Sequence, residues 1–161
     1  LHDSLLFVAG ELDTTMGGPS IPIQNETSRR RSLYFFHSHN EQQKFLGTFD
    51  DAAVLECYRR SVSIVPQQAL ALSNSKMVLT MAGRINERLH QQLGQVSDTE
   101  FARTAFETVL AATPTSEELV ACEEALRQWR ELAKGRPDIV RRARGNLIQA
   151  LLNHNDFITI R

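Results

Sequence analysis

The chain has no apolar run near the roughly 20 residues that a membrane-spanning helix needs; "SLLFVAG" (4–10) is the closest approach and is far too short. It has no excess of either charge. A formal net charge of -1 over 161 residues supplies no global field to recruit nucleic acid or an anionic surface. Cysteine is scarce: Cys57 and Cys122 form neither a Cys-x-x-Cys pair nor a haem-attachment motif. Covalent haem is thereby excluded. Both cysteines stand among apolar helical neighbours, where the thiol serves as a small hydrophobe; a disulfide between them is the alternative.

Catalytic signatures are missing too. There is no G-x-S-x-G elbow, and "MGGPS" (16–20) lacks the lysine and the register of a phosphate-cradling loop. The adjacent carboxylates Asp50 and Asp51 read as helix-start charges, which the macrodipole favours. Glu117 with Glu118, and Glu123 with Glu124, read as solvated helix faces. No repeat and no low-complexity tract occurs. No cofactor motif is present, and none is assigned.

What is there is amphipathic helix. An apolar share of 42% with 23% charged residues fits one globular domain of this length. Leu5, Leu6, Ala9 and Leu12 keep helical spacing over 2–12. Gly17, Gly18, Pro19 and Pro22 then break the chain into a loop. Asp50 caps a helix expected at 51–60, and Pro66 suits the first turn of another, 66–73. After "SNS" (73–75) a long helix over 75–93 turns Val78, Ala82, Ile85 and Leu89 to one side.

The second half is the most regular. Ser97 with Glu100, and Thr115 with Glu118, carry the capping-box spacing. Behind them stand Phe101, Ala105, Phe106, Val109 and Leu110, then Leu119, Cys122, Leu126, Trp129 and Ala133. Gly135 and Pro137 close one helix and open the next, which shows Val140, Ala143, Leu147, Ile148 and Leu151. Short connections make these three helices, 98–153, an antiparallel bundle. The expected fold is mainly α: a bundle of six to seven helices, with a small two-stranded β pairing of "SLYFF" (32–36) with "FITI" (157–160).

The stretch "RRRSLYFFHSHNE" (29–41) raises the sharpest functional question. His37 and His39 would share one side of a strand, as metal ligands should, yet zinc demands further ligands that no spacing here supplies. They read as loop histidines, and no metal is assigned. Arg29, Arg30 and Arg31, with Arg59, Arg60, Arg141, Arg142 and Arg144, suggest a phosphate surface. The aromatics beside them are contiguous rather than spaced for stacking, and Glu26, Asp50, Asp51 and Glu56 stand near in sequence. Structural ion pairs, with Asp50 or Glu56, are the expected role of the first arginines. No nucleic acid is expected. Gln67, Gln68 and Asn74 would satisfy backbone groups near a helix start.

At "RRSLYFFHSHNEQQKFLGTFDDAAVLECYRRSVSIVPQQALALSNS" (30–75) the chain resembles a known family. It is similar to the C-terminal portion of the planctomycete secreted-protein domain, domain-of-unknown-function family 1553. The motifs are "RRSLY", "FL-TFD" and "RR-S-VPQQALAL-N", with "TMGG" upstream and "LLNHNDFI" near the end. Ser75 follows Asn74 where many members continue with Asp-Pro, which implies a softer helix break; 94–136 matches in pattern alone.

The resemblance implies a large exported protein in a periplasmic or extracytoplasmic setting, near polysaccharide breakdown or electron transfer. Its partners would be other domains of the same polypeptide, a cytochrome-c-like domain among them. It carries over no catalytic residue. Residues 1–161 are therefore read as one helical domain, the C-terminal fragment of a multidomain protein, acting as a non-catalytic structural or interaction module. The alternative is one wall of a hydrolytic, carbohydrate-directed active site. That wall would use the polar cluster His37, His39, Asp50, Arg59, Arg60 and Gln67.

Overall fold

The computed structural model describes residues 1–38, 43–49 and 66–158. The molecule is mainly α, and no sheet forms among these residues. Among the described residues there are eight helices, six of them eight residues or longer: α1 (His2–Ala9), α2 (Lys44–Thr48), α3 (Pro66–Asn74), α4 (Lys76–Leu93), α5 (Asp98–Leu110), α6 (Ser116–Leu132), α7 (Ile139–Leu152) and α8 (Asn155–Ile158). The chain groups into two compact units, Leu1–Met77 and Val78–Arg161.

In the first unit α1 buries Leu5, Leu6 and Ala9 as its spacing dictates. It stops short of the expected 12 because Gly10 takes a left-handed backbone, φ 73°, and its N–H closes on Leu6 and Phe7 carbonyls. Gln43 caps α2 through its side chain, which accepts from the Leu46 N–H at 2.7 Å. Proline opens α3 as expected, and Gln68 Nε2 donates to the Thr48 carbonyl at 3.1 Å, tying α3 to α2. Asn74 serves its own helix instead, donating to Leu70 O. The break before α4 is a single residue, Ser75, whose N–H still reaches Ala71 O at 2.8 Å.

Among the described residues neither half of the expected pairing, 32–36 with 157–160, is a strand. Ser32–Tyr34 is a turn of 3-10 helix, and Phe35 makes an isolated parallel bridge to Ile21. At the other end Phe157 and Ile158 belong to α8, while 159–161 lie outside the described residues. The helix expected at 51–60, and Cys57 with it, also lies outside them.

The second unit is the bundle. α5, α6 and α7 pack on one another, with α8 against α5 and α7. Ser97 accepts from the Glu100 N–H, and Thr115 with Glu118 completes a reciprocal capping box. Phe101, Leu126 and Ile148 are fully buried, each worth about 2–3 kcal/mol of transfer energy. Val140, expected inward, is 46% exposed. Asp138 starts α7 from a left-handed backbone, φ 57°, and the inward face begins at Ala143.

Polar contacts knit the bundle further. Asp98 bridges Arg130 of α6 and Arg144 of α7; the Arg144 guanidinium is buried, lies 4.6 Å over the Phe101 ring and donates to Val96 O at 2.7 Å. Asn86 of α4 donates to Arg141 O at 2.9 Å.

Candidate functional site

The three successive arginines are the chain's densest cationic run, and each meets a different group of its own unit. Arg29 pairs with Glu11 at 2.5 Å, and Arg31 with Asp3 at 3.6 Å. Arg30 turns onto the loop: its guanidinium lies 3.9 Å over the Tyr34 ring and donates to the carbonyls of Gly17 and Pro19. Structural ion pairs were the expected role, and they form. The partners are Glu11 and Asp3, since α1 lies beside 29–32; Asp50 and Glu56 lie outside the described residues.

The loop needs its glycines. Gly17 and Gly18 have φ of 78° and 91°, a region that disfavours any Cβ. With both in place, the Gly17 N–H reaches the Tyr34 hydroxyl at 2.9 Å while the Gly17 carbonyl receives Arg30. One peptide segment is thus held on both polar sides by two stacked side chains.

Behind this lies a contact around His2, a residue absent from the candidate cluster. His2 is 3% exposed; its Nδ1 sits 2.9 Å from Asp3, and its ring meets Phe35 and Phe45 edge-on at 5.6 and 6.5 Å. Asp3 also accepts the Ser32 N–H at 2.7 Å. Burial pushes the Asp3 carboxyl up, but hydrogen bonds from His2 and Ser32 outweigh it and hold the carboxyl below its usual range. The available signal was the position of His2, three and four residues before Leu5 and Leu6 on one apolar face.

Of the six candidate residues, His37 is exposed at the end of the segment. Gln67 is the second residue of α3, and its side chain lies outside what is described. His39, Asp50, Arg59 and Arg60 lie outside the described residues. Beside His37, a shallow concavity of about 270 Å³ is lined by Ser20, Pro22, Ile23, Gln24 and Phe36. It presents no acid, base or nucleophile beyond one serine hydroxyl. Among the described residues no group of three or more His, Cys, Asp or Glu could hold a metal ion, and no helix is long and apolar enough to cross a membrane.

A family model described as "PSD1: Protein of unknown function (DUF1553)" matches residues 1–126. That is most of the chain, from α1 into α6, and the chain belongs to this family. The "LLNHNDFI" segment (151–158) lies beyond the match. No curated protein and no solved structure matches the chain.

Proposed function

We propose that this DUF1553 chain is a non-catalytic helical module of a larger exported polypeptide, working in an extracytoplasmic setting. Its partners are the companion domains of that polypeptide, a cytochrome-c-like domain among them. The observation that supports this reading is the fate of Arg29, Arg30 and Arg31, which are spent on Glu11, the 17–19 loop and Asp3. A ligand site would present such groups toward a cleft; here they fasten the unit's own segments to one another.

The test uses the full-length protein and variants at the candidate cluster, H37A, D50N and R60A. Sugar release from a panel of polysaccharides is measured beside thermal stability. A module predicts no hydrolysis, or a hydrolysis rate that follows the folded fraction alone. A loss of activity of 100-fold or so, at unchanged melting temperature, would overturn the module reading.

A further inference from the structure

Charge is segregated along the α5–α7 bundle. Residues 127–144 hold seven Lys and Arg against two Asp and Glu. Residues 104–126 and 145–158 hold six carboxylates and neither Lys nor Arg. Asp98, at the start of α5, meets Arg130 near the end of α6 and Arg144 near the start of α7, so these three points share one end of the bundle. The cations therefore collect at that end, whereas Glu107 near the end of α5 and Glu117 and Glu118 in the first turn of α6 lie toward the other; Glu123 lies between, bonded to Thr99.

Much of this positive charge is used internally. Arg127 pairs with Glu124 and Glu131, Arg130 and Arg144 share Asp98, and Arg141 pairs with Glu87. Lys134, Arg136 and Arg142 are exposed around the α6–α7 turn, and no ion pair among the described residues engages them. Arg142 folds its Nε back to Pro137 O at 3.2 Å, which keeps its terminal nitrogens at the turn. Among these cations stand Leu132, 83% exposed, and Val140. Exposed aliphatic side chains beside polar, solvent-accessible ones are the materials of a protein interface.

We infer that this end of the bundle docks an acidic protein segment bearing apolar side chains. The inference rests on the module reading and names the surface that such a module would use. Charge complementarity selects an acidic partner and speeds its encounter. A long duplex is disfavoured because the carboxylates farther along the bundle would repel it. Two aliphatic side chains are also too few to anchor the end in lipid.

The test is fluorescence anisotropy with a labelled ten-residue peptide in which Asp and Glu surround two leucines. The full chain is expected to bind at about 50 mM salt and to weaken about tenfold at about 0.3 M. The triple variant K134E/R136E/R142E should lose about tenfold or more, and L132S a smaller factor. E107K/E117K, toward the far end, should bind as the parent does. Circular dichroism checks that each variant folds. Undiminished peptide binding by the triple variant overturns the inference, as does tighter binding of duplex DNA or of phosphatidylglycerol vesicles. Either failure leaves the cluster test above untouched, because no residue of that cluster is altered.

Discussion

The guanidinium of Arg30 lies 3.9 Å above the ring of Tyr34, and the two side chains grip the same residue, Gly17, through its carbonyl and its N–H respectively. Around this pair Arg29 and Arg31 tie the same segment to α1. The chemistry of the run is thus consumed by folding a glycine-rich loop onto a 3-10 turn. Lysine could not substitute, since a point charge neither stacks on a ring nor reaches two carbonyls in a fixed fork.

Y34F keeps the stacking and removes the hydroxyl that meets the Gly17 N–H. A loss of about 1 kcal/mol in equilibrium unfolding is expected. In a double-mutant cycle with R30A the two should couple by about 0.5–1 kcal/mol, since both act on one peptide segment.

Asp3 sets an acid limit for the first unit. Its folded carboxyl titrates below the usual 3.8, held there by His2 and Ser32 against burial. A depressed carboxylate stabilises the fold fully above its unfolded value, and this contribution is lost as pH falls through the folded value. Unfolding midpoints measured from pH 6 to pH 2 should fall below about pH 4, and D3N should flatten that decline.

Arg144 is the buried cation of the second unit, placed between Asp98, Val96 O and the Phe101 ring. R144A removes the donor to Val96 O and the stack on Phe101, leaves Asp98 to Arg130 alone, and should cost about 2–4 kcal/mol by urea unfolding. R144M fills the volume and should cost less.

Cys122 sits buried in α6, and burial pushes its thiol up, with the Glu118 and Glu123 carboxylates adding to the effect. Thiolate is the reactive form, so a C57S variant should label with a thiol reagent slowly in the native state and readily in denaturant.

Where one helix face decides burial, the sequence was enough. Val78, Ala82, Ile85 and Leu89 on α4, and Phe101, Ala105, Phe106 and Val109 on α5, are all buried as their spacing required. Ser97 and Thr115 cap the helices that they precede, because a cap is a local bond. "SLYFF" misled because strand propensity reports a half-buried surface, and here Ser32 and Tyr34 are engaged by Asp3 and Gly17 instead. At the other end the polar "NHND" (153–156) follows the last turn of α7. It also starts α8, with His154 Nδ1 accepting the Asp156 N–H at 3.2 Å. Which acids meet the arginines was illegible, since Glu11 and Asp3 come near them only when α1 settles alongside.

Equilibrium unfolding of R30A beside the parent chain, with hydrogen exchange read at the Gly17 amide, tests the structural role of the arginine run most directly. A loss of about 1–2 kcal/mol, together with faster exchange at Gly17, is the predicted result. Unchanged stability and exchange, with a binding or hydrolytic activity of the full-length protein abolished, would contradict it.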